Sequence, residues 1–155
     1  MSQSAIRTAI YNAINGVTDV GLVYDYERYA NEWGDFLDFF KTTIGTTAQI
    51  RGWMVGYRGI REATYKQFRP GSKTGVARVH RFQILGVMGI DDSEASEKTF
   101  AALGEDVCDA LDADATLHGS AYLGASSAVM GFDPRPFAGI LVHAAAIVID
   151  VTESI

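Results

Sequence analysis

Two long stretches of alternating side chains, with a turn between them, constrain the fold of this chain more than any other sequence feature. Residues 50–63 and 76–90 each alternate with a period of two, which is typical of β-strands. Pro70 and Gly71 lie between the two stretches and favour a turn. The sequence therefore predicts a long antiparallel hairpin, with residues 64–75 as a mobile basic loop at its tip.

The segments on either side of the hairpin predict helices and further strands. Apolar residues recur at helical spacing over residues 4–15 and over 91–112, where Asp91 and Asp92 favour a helix start. The almost wholly apolar residues 140–151 predict a central strand. Helices packed on one face of a mostly antiparallel sheet define an α+β fold. Shorter patterns predict the remaining elements, which are a strand at 21–24, a helix at 32–41, an extended segment at 116–131 and a rigid loop at 133–136.

Length and composition indicate an ordinary globular protein. The chain has 155 residues, of which 48% are apolar and 21% are charged, and this predicts a single domain over residues 1–155. The longest apolar runs are too short to cross a bilayer, and the first residues lack the basic and apolar regions of a secretory signal. Cys108 is the only cysteine, which excludes an intrachain disulfide. We therefore expect a protein without a membrane partner that is made in the cytoplasm.

Several fragments resemble chemical motifs, but each lacks a required partner. Residues 71–74 match the end of a phosphate-binding loop, but the preceding glycine of that loop is missing. His80, His118 and His143 show no metal-binding spacing, so we expect them to be hydrogen-bonded structural residues. Paired carboxylates such as Asp91 and Asp92 lie where helix capping accounts for them. The sequence thus predicts no catalytic residue, no metal site and no cofactor.

Charge is unevenly distributed along the chain. The formal net charge is −6, which argues against a general attraction to nucleic acid. Eight of the thirteen basic residues nevertheless lie between Arg51 and Arg81, and nine of the nineteen acids lie between Asp91 and Asp114. Two interpretations are open: two solvated faces, or a basic surface on one copy that meets an acidic helix on the next.

Aromatic residues are also concentrated in one segment. Seven of them lie within residues 24–40, more than two short elements usually bury, so the segment forms either a core cluster or an interaction patch. Strict alternation places Trp53 on the same face of the first long strand as Arg51 and Arg61, and aromatic and arginine side chains are common interface anchors. The predicted interface residues are Arg58, Arg61, Lys66, Arg69, Lys73, Glu94, Glu97, Asp109, Trp33, Phe36 and Trp53.

The order of elements and several segments together resemble a known family. The segments are Ile6-x-x-Ala9-Ile10, residues 23–29 (VYDYERY), residues 50–53 (IRGW), Phe82-x-Ile84-x-Gly86-x-Met88 before the acidic helix, and the apolar strand at 140–151. This pattern is similar to that of tail terminator, or tail completion, proteins of long-tailed bacteriophages and prophages. The similarity extends over most of the chain and includes no short diagnostic signature.

The resemblance implies a structural function. Proteins of that family form a six-membered ring that caps the tail tube, stops tube polymerisation and joins the tail to the head connector. The implied partners are therefore further copies of the chain, the tail tube protein and the connector protein, in the head-proximal part of the virion tail. DNA passes through the lumen without sequence-specific contact, and no cofactor is required. By analogy, Lys66, Arg69 and Lys73 would face the connector, the next subunit or the lumen.

Two alternatives are kept beside this one. The first is another head–tail joining or tail-tube structural protein of the same virion. The second is a small-molecule-binding or enzymatic α+β domain, whose pocket would lie between sheet and helices and involve Trp53, His80 and His143.

Overall fold

The computed structural model describes residues 3–67, 74–117 and 126–154, and within them it leaves out the side chains of Trp33, residues 65–67, Thr74 and Ser154. The described helices are α1 (Gln3–Asn15), α2 (Trp33–Asp38) and α3 (Ser96–Asp112). The described strands are β1 (Leu22–Tyr24), β2 (Lys41–Ile44), β3 (Thr47–Gln67), β4 (Thr74–Gly89), β5 (Val129–Phe137) and β6 (Ile140–Ser154).

The six described strands form one sheet in the order β1-β3-β4-β6-β5, and β2 pairs separately with β3. β1 runs parallel to β3, whereas the other pairs are antiparallel. This confirms the predicted α+β class with a mostly antiparallel sheet. The predicted hairpin is formed by β3 and β4, which pair from Arg51 and Met88 out to Gln67 and Thr74. β6 lies between β4 and β5, in the central position that its apolar sequence predicts.

One face of the sheet, called here the first face, carries the main apolar core. Ile6, Ile10 and Ile14 of α1 are fully buried at helical spacing, which places them on one side of that helix. In α3, Phe100, Val107 and Leu111 are also fully buried and lie on one side of the helix. They pack with the alternate side chains of the central strands, namely Trp53, Val55, Phe82, Ile84, Ile147 and Ile149. α1 and α3 therefore lie together on the first face.

The opposite face, called here the second face, carries a smaller aromatic cluster. Phe40 is fully buried against Met54, Val87 and Val142, and Phe36 of α2 packs at its edge. The aromatic rings meet mostly edge-on: Phe40 and Phe137, for example, have centroids 5.4 Å apart at 81°. Most of the aromatic segment at 24–40 is thus a second core that covers part of the second face.

Glycines in the strands let large side chains cross neighbouring backbone. A Cβ at Gly86 would lie 2.4 Å from Cζ3 of Trp53, and a Cβ at Gly52 would lie 2.6 Å from Cδ1 of Phe40. The two bulky rings therefore lie directly over glycines, one on each face of the sheet. Gly104 in α3 packs in the same way against Met130 of β5, which explains a glycine inside a helix.

Several element boundaries differ from the prediction. α3 begins at Ser96, five residues after the predicted start, because Ala95 adopts a left-handed conformation with φ 50°. α2 is shorter than predicted, and Lys41 instead begins β2, which the sequence pattern did not indicate. Residues 133–136 were expected to be a loop but belong to β5, an edge strand, where proline is tolerated.

Candidate functional site

The second face of the sheet leaves a group of small and apolar side chains partly exposed beyond the aromatic cluster. Ladder pairing places Leu85 beside Ala146, and Val129 beside Val148, in adjacent rows of β4, β6 and β5. Val129 is 69% exposed. We call this group the open strip; its members are Leu85, Val129, Ala144, Ala146 and Val148. Its small residues leave room for another element to approach the sheet closely.

An arginine–carboxylate cluster lies beside the open strip, on the same face of β4 and β6. Arg81 of β4 pairs with Asp150 of β6, and its Nε and Nη2 donate to the two carboxylate oxygens, each over 2.8 Å. Arg61 of β3 donates from Nη1 to Oδ2 of the same carboxylate over 2.7 Å. The hydrogen bond from Arg81, assisted by Arg61, lowers the pKa of Asp150 below its ordinary value. Two arginines share one carboxylate here, so the cluster carries excess positive charge.

A second ion pair lies beside this cluster. Arg58 donates from Nη1 to Oε2 of Glu27 over 2.9 Å and from Nε to Oε1 of Gln83 over 2.8 Å. The pair lies over Gly56, where a Cβ would come within 2.8 Å of both side chains. The hydrogen bond from Arg58 lowers the pKa of Glu27. We call Arg58, Arg61 and Arg81 together the arginine border.

An irregularity in β3 brings these arginines together. The β3–β4 register shifts between Tyr57 and Ile60 and again between Ile60 and Glu62, and Gly59 has φ 93°. β-Bulges of this kind re-aim side chains near the rim of a sheet. Strict alternation predicted Arg61 on the same face as Trp53, and this was wrong: Arg61 reaches Asp150 on the second face.

The other charged surface lies on α3, on the opposite side of the sheet. Glu105, Asp109 and Asp112 are exposed and point away from the buried stripe of Phe100, Val107 and Leu111. We call these three residues the acidic ridge. The last turn of α3 contains no basic residue, although a helix C-terminus favours positive charge. Ala101 and Ala102 continue the outer side of the helix one turn before the ridge.

The structure places the predicted interface residues in different environments. Arg58 and Arg61 lie in the arginine border, and Glu94, Glu97 and Asp109 are exposed on or just before α3. Phe36 is half-buried in the aromatic cluster. The prediction of Trp53 as an interface anchor was wrong, because its side chain is fully buried against Phe100 and Gly86. The remaining predictions lie outside the described residues or side chains; they concern Trp33, Lys66, Arg69 and Lys73.

Sequence reasoning missed Arg81, a member of the arginine border, and Asp150, the carboxylate that Arg81 shares with Arg61. Arg81 and Asp150 are separated by 69 residues and meet only because β4 pairs with β6. Gly59, a glycine inside a strand pattern, was the one local signal of the bulge that brings Arg61 to them.

Two described histidines take part in buried hydrogen-bond networks. The Nε2 of His80 lies 2.8 Å from Oε2 of Glu153, and its Nδ1 lies 3.0 Å from the Tyr57 hydroxyl. A neutral imidazole that carries its proton on Nε2 satisfies both contacts. These hydrogen bonds link β3, β4 and β6 on the first face of the sheet. His118 lies outside the described residues.

His143 has a serine partner. The backbone N–H of Asp91 donates to Oγ of Ser96 over 2.8 Å, and this hydroxyl lies 2.9 Å from Nε2 of His143. A serine nucleophile and its base have this separation, but they also need a group that orients the base. Within the described part of the chain, Nδ1 of His143 has no hydrogen-bond partner, and Ser96 is only 4% exposed. The pair anchors the start of α3 to β6.

A cleft of about 440 Å³ lies near the start of α3. It is bounded by the β2–β3 turn, the end of β4 and the turn before α3, and its polar lining includes Gln49, Arg51, Asp91 and Glu94. Arg51 is itself buried and donates to the carbonyl of Asp19 over 2.9 Å. Trp53, His80 and His143, which the small-molecule alternative placed in a pocket, do not line this cleft.

Further observations bear on the class of protein. Residues 3–67, 74–117 and 126–154 contain no group of three or more histidine, cysteine or acidic side chains placed to hold a metal ion. Among the helices of those ranges, none combines the length and the apolar character needed to cross a membrane. Searches against protein-family models and curated proteins find no match for the chain.

Proposed function

We propose that this chain is a structural protein of a bacteriophage tail that forms a closed ring at the head-proximal end of the tail tube. The ring ends tube polymerisation and joins the tail to the head connector, and DNA passes through its lumen without sequence readout. The proposal starts from the sequence resemblance to tail terminator proteins described above. The α+β fold and the long hairpin that the sequence pattern predicts are both present in the structure.

The observation that carries the proposal is the chemical difference between the two sides of the molecule. One side presents the open strip and the arginine border, and the other presents the acidic ridge of α3. Surfaces that differ in this way favour head-to-tail association of identical chains, and such association closes into a ring when the rotation between neighbours allows it. A two-fold dimer would instead require one surface that complements itself.

Oligomeric state and tube length together test the proposal. Native mass spectrometry and light scattering should reveal one closed oligomer, which the resemblance predicts to be a hexamer. When the chain is added to polymerising tail tube protein of the same virion, electron microscopy should show shorter tubes with a ring at one end. A strictly monomeric chain at high micromolar concentration that leaves tube length unchanged would contradict the proposal.

The same experiment addresses the alternative of a different tail or neck protein. A protein of the tube itself would form long polymers on its own, whereas a terminator would form discrete rings and limit the growth of another protein. Tube length as a function of added chain therefore separates the two.

A further inference from the structure

The structure points to a specific contact within the proposed ring: we infer that the outer side of α3 on one copy docks on the second face of the sheet of the next copy. In this contact the acidic ridge meets the arginine border, and Ala101 and Ala102 meet the open strip. The inference rests on the proposed function, because it names the surfaces through which the ring would close.

Charge is the first argument for this pairing. The three arginines of the arginine border pair with only two carboxylates, those of Glu27 and Asp150. The acidic ridge contributes three carboxylates, and among the described residues Asp109 is exposed and makes no side-chain hydrogen bond. A basic surface and an acidic surface of this kind select one another and disfavour contact of either with itself.

Spacing is the second argument. Along β4 the arginine border is followed by the open strip. A strand rises by about 3.4 Å per residue, so Arg81 and Leu85 are about 14 Å apart along β4. On α3 the two alanines are likewise followed by the acidic ridge, and Ala102 and Asp109 are about 10 Å apart along the helix axis. A helix laid along the strands can therefore bring its acids to the arginines and its alanines to the small side chains of the strip.

The third argument comes from the helix itself. Glu105, Asp109 and Asp112 lie in the C-terminal half of α3, where the helix dipole disfavours negative charge. Asp112 accepts a hydrogen bond from the backbone N–H of Ala128, which accounts for its position within the fold. The exposed Asp109 makes no such hydrogen bond in the described structure, and a basic partner on another copy would stabilise its carboxylate.

A charge-exchange experiment tests the contact. Arg61→Glu and Asp109→Arg are each made in the full chain, and both sites are chosen because their side chains are exposed. Each variant alone should assemble at least tenfold more weakly than the wild type, since like charges would then face each other. In an equimolar mixture the two variants can alternate around the ring. The two substituted residues then face each other at one contact, and the two wild-type residues face each other at the next. Opposite charges thus meet again, and assembly should recover in part. A double variant that carries both changes should recover it at every contact.

Controls separate this contact from other effects. Asp92→Arg makes the same charge change at an exposed residue in the turn before α3, and it should leave the assembly constant within about threefold of the wild type. Circular dichroism and melting temperature establish that each variant is folded. If Arg61→Glu does not fold, Val129→Glu tests the same face through the open strip and should also weaken assembly at least tenfold.

The outcomes distinguish this inference from the proposed function. Wild-type rings together with single variants that assemble normally, or with a double variant that stays dissociated, would overturn the α3–sheet contact and leave the ring proposal standing. A wild-type chain that never assembles, with or without tail tube protein, would instead overturn the ring itself.

Discussion

At the scale of single residues, glycines decide where the largest side chains can lie. Gly86 gives space to the ring of Trp53, which has no exposed surface and packs against Phe100 with centroids 5.6 Å apart and the ring planes tilted by 32°. The sequence showed both residues, but their contact depends on the β3–β4 register, in which Trp53 is directly paired with Gly86. Local alternation could not supply that register, and this is why Trp53 was expected at an interface.

Gly86→Ala tests this packing. The new methyl group would lie 2.4 Å from the ring of Trp53, so the ring or the strands must move, and we expect unfolding to become easier by about 1–3 kcal/mol. Urea denaturation followed by tryptophan fluorescence measures the change. Gly131→Ala is the matched control in β5: its new Cβ would have no neighbour nearer than 3.9 Å, and stability should stay within about 0.5 kcal/mol. Equal effects of the two substitutions would refute the packing argument.

At the scale of elements, the sequence predicted regular segments better than it predicted their irregularities. The periodic stretches of α1, β3, β4, α3 and β6 were all found from their patterns. The late start of α3 depends on the left-handed conformation of Ala95, for which the residue type gives no signal. The bulges of β3 likewise depend on pairing with β4, although Gly59 marks the place.

Replacing Asp109 by lysine separates the stability of α3 from its proposed role in assembly. The substitution places a cation near a helix C-terminus, so the isolated chain should become more stable by about 0.3–1 kcal/mol. The same change should weaken ring formation, because it opposes the arginine border of the next copy. Denaturation of the dissociated chain and light scattering measure the two effects. If the variant assembles as well as the wild type, Asp109 has no role at the interface.

At the scale of the whole molecule, Asp150 connects strands that are remote in sequence. Its carboxylate accepts hydrogen bonds from Arg61 of β3 and Arg81 of β4, while its backbone N–H donates a hydrogen bond to Oγ of Ser126 over 3.0 Å. The arginine border is therefore a property of the assembled sheet. This explains why composition could indicate a basic region but could not identify the carboxylate at its centre.

The lowered pKa of Asp150 predicts how stability depends on pH. The folded chain holds the carboxylate ionised more strongly than the unfolded chain, so its contribution is present above the unfolded pKa and is lost as pH falls through the lower, folded pKa. Asp150→Asn should therefore reduce stability at pH 7, and the difference from the wild type should shrink below about pH 4, near the ordinary aspartate value. Urea denaturation at a series of pH values measures this difference. A difference that does not change with pH would show that charge is not its cause.

The prolines of β5 have a consequence for the behaviour of the chain at high concentration. Within the sheet of the described residues, Pro134 and Pro136 lie in an edge strand and lack the N–H groups with which a strand from another molecule would pair. Such an edge resists the uncontrolled strand-to-strand growth that leads to aggregates and amyloid. Any association of the chain at high concentration should therefore use other surfaces than this edge.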